Sequence, residues 1–376
     1  MPDFSRLVAN LRITKILVVI GFCAFFSLSA RSNESSHTPS GQKNDAVTAE
    51  HGEKHAGGHG DEKMDPGKMI LEHISDAHDW HLFGHTSLPL PVIVYTKSKG
   101  LTFFMSSKFE HGTASYEGFK LNEKNQLVWA DESQTEALYD LSITKNVAAM
   151  MIAVLVLLLI MVGMARTYKA RLGKAPKGFH NLIEPLILFL RDDVAKSSIG
   201  PRYESFMPLL LTIFFFIFTN NIFGLIPIFP GGANVTGNIA ITMVLALVVF
   251  LTVNLIANKY YWKHIFMPDV PVAMYLIIIP IEILGVVLRP FVLMLRLFAN
   301  ITAGHIIILG FFSLIFIFGA MSPVAGYAVS PVSVAFTLFM SLLEMLVAFL
   351  QAFVFTLLTA IYIGMAIEEH HHAEHH

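Results

Sequence analysis

From Val272 to Ala320 the chain is one apolar stretch with only two cationic side chains, Arg289 and Arg296. Arg296 stands within Leu295-Arg296-Leu297-Phe298-Ala299-Asn300, with mostly apolar residues for several helical turns on either side. On a membrane-spanning helix it could not stretch to water along its own axis. A guanidinium stays charged, because its pKa is above about 12, and at mid-bilayer depth the charge costs roughly 3 kcal/mol on insertion scales. A partner carboxylate or a wet cavity usually offsets that cost, so an intramembrane arginine is a candidate functional residue. The alternative is a structural ion pair joining two helices.

The rest of the composition agrees with a membrane setting. The 376 residues are 54% hydrophobic and 14% charged, with a mean hydropathy of +0.59, as in a polytopic membrane protein. A net charge of -2 and the absence of a basic run interleaved with aromatics give no nucleic-acid partner. No P-loop pattern occurs, so no nucleotide site is expected, and no cofactor is implied. The single cysteine, Cys23, carries no disulfide argument.

Residues 1–30 read as a signal peptide: Arg6, Arg12 and Lys15 precede the apolar run Ile16 to Phe26, and Ser27-Leu28-Ser29-Ala30 offers a cleavage site. Residues 31–68 are too polar to form a core and read as a disordered linker. His51, His55 and His59 recur there every four residues, but the glycines around them do not preform a metal site. From 69 to 143 the pattern becomes β-rich, with short runs at Pro91 to Tyr95, Leu101 to Met105, Tyr116 to Leu121 and Gln126 to Trp129. The turn Asn122-Glu123-Lys124-Asn125 suggests a hairpin between the last two. The cluster His73, His78, Asp79, His81 and His85 has ligand-type residues with no spacing that specifies a metal.

The membrane domain is expected over 144–376, with spans at 147–165, 207–226, 238–257, 272–320 and 332–367. Arg166, Lys169, Arg171, Lys174 and Lys177 follow the first span and mark the cytoplasmic side, which puts the β-rich domain outside. Phe179 to Ala195 reads as an interfacial amphipathic helix with Leu182, Pro185, Leu186, Phe189 and Val194 near one face. The loops 227–237 and 321–331 lack cations and fit the outer side, whereas Lys259 and Lys263 fit the inner one. As continuous helix the fourth span would run about 73 Å and the fifth about 54 Å, so both must tilt steeply or bend. The fold expected is therefore an all-α polytopic membrane protein of five spans and an amphipathic helix, carrying a small exported β-rich N-terminal domain.

That topology grades the polar residues by depth. Glu282 lies toward the inner end, Arg296 about 21 Å further along the axis, and His305 beyond it toward the outside. His305 is about 180° from Arg296 on an ideal helix and should look away from whatever Arg296 faces. On the last span Glu344, Gln351 and Tyr362 form one stripe; Glu282, Arg289 and Arg296 form another. His305 and Glu344 are proton-exchangeable groups at outer depth, and Glu282 is one at inner depth. A proton cannot pass a fixed guanidinium. Two half-paths that do not meet then need a carrier between them, such as a carboxylate on another subunit. Mutual pairing of His305 and Glu344 as helix glue is the structural alternative.

Arg296-Leu297-Phe298-Ala299-Asn300 with Ala303-Gly304-His305, and Leu350-Gln351-Ala352-Phe353-Val354-Phe355 with Tyr362, resemble the signature helices of subunit a of the F-type ATP synthase. The resemblance covers about Met207 to Glu369. It implies a proton-conducting stator subunit in the bacterial inner membrane, with the N-terminal domain periplasmic and the C-terminus cytoplasmic. Its partners would be the c-ring, which the last two helices face, the b subunits of the peripheral stalk, other ATP synthase subunits and the lipid bilayer. Arg296 would be the essential arginine facing the c-ring carboxylates, with Asn300 and Gln351 beside it. Glu344 and His305 would line the outer half-channel, with Asn221 and Asn238 near it, and Glu282 the inner one. The best-known bacterial members carry these two groups exchanged, the acid at the His305 position and histidine at the Glu344 position. Gly224 stands where some members have aspartate. The N-terminal extension is similar to that of Bacteroidetes chains. A stand-alone proton-coupled secondary transporter is the other reading, but it should show repeated halves, and the sequence has no internal repeat.

Overall fold

The structure is a computed structural model that describes residues 75–368 together with 67 and 70, apart from 84–85, 113, 123–124, 132, 135, 171–177, 179, 227–228, 230, 269 and 272–273. The expected signal peptide and the linker histidines His51, His55 and His59 lie outside the described residues, as do His73 and His85.

The N-terminal part is built from short antiparallel strands: β1 (Asp79–Phe83) with β2 (Thr86–Pro89), a three-stranded sheet of β3 (Pro91–Thr96), β4 (Gly100–Met105) and β7 (Tyr139–Asp140) in the order β4-β3-β7, and β5 (Phe119–Leu121) with β6 (Leu127–Trp129). Alternation decides the sheet faces. In β3, Val92 and Val94 are fully buried, and they pack with Phe104, Phe109, Phe119, Leu127 and Trp129. The β5–β6 hairpin closes as the turn chemistry suggests: Asn125 takes a positive φ of 56°, and Asn122 Oδ1 accepts the Gln126 N–H at 2.9 Å. Strands β1, β2 and β7 were not foreseen, because their residues carry little β-branched alternation.

His78, one of the candidate ligands, is instead a buried structural group. Its Nδ1 lies 3.1 Å from the Asn125 carbonyl and its Nε2 3.1 Å from Asp140 Oδ2. Both partners can only accept at those atoms, so both ring nitrogens donate and the imidazole is held as a cation. Asp76 joins this part to the membrane helices. It accepts from the Thr144 hydroxyl at 2.8 Å and from the Asn146 N–H at 3.0 Å, a carboxylate placed at a helix N-terminus.

Among the described residues, five helical segments are long and apolar enough to cross a membrane. Helices form there because apolar runs surrounded by lipid must satisfy their backbone groups internally. They comprise α1 (Lys145–Ala170), a broken segment of α2 (His180–Phe189), α3 (Lys196–Ile199) and α4 (Tyr203–Leu225), then α5 (Ile239–Ile256), α7 (Tyr275–Met321) and α8 (Pro323–Ile367). The short α6 (Lys259–Phe266) follows α5. A π-helical turn, Leu190–Ala195, joins α2 to α3, and a 3-10 turn, Gly200–Arg202, leads into α4.

Two expectations are corrected. The stretch 321–331 is not a loop: Ser322, in an extended conformation, is the sole break between α7 and α8. Pro323 suits a first helical turn, where its missing N–H is not needed, and the apolar residues after it continue the helix. Gly326 faces Gly319 so closely that a Cβ at Gly326 would lie 2.8 Å from the Gly319 Cα, which lets the hairpin close. The segment after α1 buries a face shifted from the one expected: Leu182 is 66% exposed, while Ile183, Ile187 and Leu190 are buried in the helical core beside Val194, which was expected there. Beyond the π-helical turn, α3 packs on the C-terminal end of α8: a Cβ at Gly364 would meet the Ser198 carbonyl oxygen at 2.0 Å.

Candidate functional site

Helix α7 has two faces. Leu293, Leu297 and Ile301 are buried toward the other helices, whereas Val292, Arg296, Asn300 and Ala303 are exposed. The spacing of three and four within each set gives two stripes about 100° apart around one helix. Arg296 therefore points out of the chain. Among the described residues it has no ion-pair or hydrogen-bond partner. The exposed flank around it is apolar and includes Leu288, Val292 and Leu295.

His305 is half-buried on the inward side and meets Glu344 of α8, with Nδ1 3.3 Å from Oε1. That distance suits an ion pair or a shared proton, but the atoms are not aligned as a hydrogen bond. Neither Glu344 oxygen has a hydrogen-bond donor among the described residues, although Glu344 is only 4% exposed. Two glycines make room for the pair. At Gly304 a Cβ would lie 2.7 Å from Glu344 Oε1 and 2.9 Å from its carboxyl carbon. At Gly224 a Cβ would lie 3.5 Å from His305 Nε2, so the position without an acidic side chain is where the imidazole edge comes to rest.

Next to this pair is a buried amide. Asn221 of α4 donates through Nδ2 to the Ala348 carbonyl of α8 at 3.1 Å, and the Thr236 hydroxyl donates to Asn221 Oδ1 at 2.6 Å. Asn238 is in the same connection but acts locally, its Oδ1 accepting the Ala240 N–H at 3.0 Å to cap α5. Gln351 is buried on the same side of α8 as Glu344, one heptad further along.

A second polar group is separate. A small pocket is lined by Asn254, Tyr261, Arg289 and Tyr362 among apolar neighbours from α5 and α7. Arg289 Nη1 is 3.4 Å from the Tyr261 hydroxyl, and its guanidinium carbon is 5.6 Å from the centre of the Tyr362 ring. Tyr362, on the stripe of Glu344 and Gln351 but eleven residues beyond Gln351, meets Arg289 there. Glu282 is half-buried two turns from Arg289 toward the start of α7. Its charge acts on Tyr261, whose hydroxyl pKa is raised by burial, against the lowering effect of Arg289, with Glu282 adding to the rise. Sequence reasoning missed Tyr261 and Asn254, which come from the connection between spans and the end of α5, and Thr236, a loop hydroxyl with no periodicity to mark it.

Residues 147–364 match the ATP synthase A chain family. This chain belongs to that family. The ATP synthase subunit a of Chloroherpeton thalassium is 47% identical over 242 residues, covering 63% of this chain and 70% of that protein. The ATP synthase subunit a of Chlorobium phaeobacteroides is 38% identical over 337 residues, covering 88% of this chain and 82% of its own length, so that likeness extends into the N-terminal part. The ATP synthase subunit a of Myxococcus xanthus is 40% identical over 247 residues, or 63% of this chain and 77% of its own. Residues 69–148 match a domain family of unknown function. In this member of the ATP synthase A chain family, the motif arginine, the His305–Glu344 pair and the Arg289 pocket are distributed along α7 and α8.

Proposed function

We propose that this chain is the proton-conducting stator subunit of an F-type ATP synthase, serving two offset half-channels that open onto the carboxylates of a c-ring. The carrying observation is the outward guanidinium of Arg296, without a partner among the described residues, on a face of α7 opposite the His305–Glu344 pair. A desolvated cation at an apolar surface is best accommodated by an anion from outside the chain. A c-ring carboxylate arriving there would be drawn into its ionised form and give up its proton. His305 and Glu344, with Asn221 and Asn238 nearby, form the outer path. Glu282, with Tyr362 and the Arg289 pocket, forms the inner one, while Asn300 and Gln351 flank the central arginine.

The order of these groups along α7 supports this reading over a stand-alone transporter. The chain's own pocket holds Arg289 and two tyrosines, and the sequence lacks the repeated halves between which such transporters bind substrate. The b subunits of the peripheral stalk and other ATP synthase subunits are the remaining protein partners. The membrane is the bacterial inner membrane, with the β-rich domain on its periplasmic side and the C-terminus in the cytoplasm.

ATP-driven proton pumping by inverted vesicles carrying Arg296→Ala tests the proposal, with the amount of assembled complex measured in the same membranes. Pumping is expected to vanish while the complex remains. Pumping at the parental rate would leave Arg296 a structural charge and sink the half-channel reading.

A further inference from the structure

The connection between α4 and α5 places two adjacent residues so that one meets α7 directly and the other reaches α8 through Asn221 of α4, the two helices that carry the outer acid–base pair. Its backbone is pre-shaped: the Asn234 side chain accepts the Gly237 N–H at 2.9 Å, and the Asn238 N–H bonds to the Val235 carbonyl at 3.2 Å. From this turn the Thr236 hydroxyl enters the bundle and reaches Asn221, which holds the Ala348 carbonyl on α8. The next residue, Gly237, offers its carbonyl to the Thr302 hydroxyl on α7 at 3.5 Å. Ala348 is one turn from Glu344, and Thr302 is one turn from His305. Thr236, Asn221, Ala348 and Glu344 are all buried.

The direction of these bonds is fixed by chemistry. A backbone carbonyl can only accept, so the Asn221 amide must turn its NH2 toward Ala348. Its oxygen then faces Thr236 and needs a donor, which the hydroxyl provides. Without that donor a buried acceptor is left unmatched, and the amide loses the reason for its orientation.

We propose that Thr236 is a positioning residue for the outer half-channel. Its hydroxyl fixes the Asn221 amide, and Asn221 in turn sets the depth and rotation of α8 where Glu344 meets His305. The proposal rests on the half-channel reading given above.

The test compares variants of the assembled complex in inverted vesicles, with ATP-driven pumping normalised to the amount of complex. Thr236→Val keeps the shape and removes the donor, and is expected to lower pumping roughly fivefold or more. Thr236→Ser restores the donor and should return the rate to within about twofold of the parent. In an Asn221→Ala background, Thr236→Val should add no further loss beyond about twofold, since its partner is already gone. If Thr236→Val yields no complex, Thr236→Ala takes its place with the same readings. A parental rate in the donor-less variant, a serine variant as poor as the valine one, or losses that multiply with Asn221→Ala would each overturn the assignment. Arg296→Ala in the same series separates the two claims. Normal pumping there removes the half-channel reading itself, whereas lost pumping there beside a parental valine variant removes only the role of Thr236.

Discussion

Glu344 has both oxygens buried without a donor among the described residues, a condition that in a passive core would be costly. A proton-exchanging role gives that closeness to His305 a use, and the absence of a Cβ at Gly304 is what makes the approach possible. Gly304→Ala is therefore expected to push the carboxylate aside, because the added methyl would overlap the carboxyl carbon as well as its oxygen. The overpacking cost of ~1–3 kcal/mol corresponds to a loss of about fivefold or more in pumping. Pumping rate per assembled complex checks it. His78 illustrates the opposite case, a titratable group with a structural use. Burial acts against its charge, but Asp140 and Asp76 outweigh it and raise the pKa above 6.5. Burial also acts against the Asp140 charge, but the hydrogen bonds from His78 and Ser142 outweigh it and hold the carboxyl below 3.8. The His78 contribution to stability is complete below its unfolded value and is lost as pH rises through the raised folded value. The Asp140 contribution is present above its unfolded value and is lost as pH falls through the depressed one. Thermal unfolding followed by tryptophan fluorescence should show the β-rich part most stable between those limits, with the midpoint falling by a few degrees as pH climbs past the raised His78 pKa. His78→Gln should remove that alkaline fall.

The helices show which features a one-dimensional pattern can carry. The two long helices and the separation of Arg296 from His305 follow from apolar length and helical period alone and are present in the structure. The β3–β4 strands and the β5–β6 hairpin were readable for a similar reason, since alternation and an asparagine turn are local signals. What was not readable depends on neighbours far away in sequence. Leu182 belongs to an apolar face by composition, but Ile183 and Ile187 are the residues buried in the helical core instead. Tyr362 lies on the stripe of Glu344 by spacing, but its contact with Arg289, a residue of another helix, could not be read from that stripe. Thr236 acts through a single long-range hydrogen bond that no periodicity announces. At this scale the contact of α3 with α8 gives a sharp prediction. Because the obstacle at Gly364 is the Ser198 backbone, Gly364→Ala has no flexible group to move. It should cost ~3 kcal/mol or more, at the upper end of overpacking penalties. The chain recovered in membranes should fall well below the parental amount, and a parental amount would show that this approach is not needed.

Across the whole molecule the β-rich part and the membrane part are packed together. Trp80 is 3% exposed, shares the helical core with Leu90, and its ring meets that of Phe229 in the α4–α5 connection at 5.0 Å between centroids. That same connection carries Thr236 and the cap of α5, so this end of the helical bundle is fastened from both sides. At the other end Asn258 donates to the Ile367 carbonyl at 2.9 Å and holds the last turn of α8 against the start of α6. Between these fixed ends lies the outward face of α7 with Arg296, which under the proposed function keeps the outer and inner paths from joining. The most direct measurement is proton leak across vesicles under an imposed pH gradient without ATP, made beside the pumping assay on Arg296→Ala complexes present at parental amount. If the arginine separates two half-paths, pumping disappears while the leak stays at least as fast as in the parent. Pumping that survives, or pumping and leak that vanish together, would contradict the separation of the paths by Arg296.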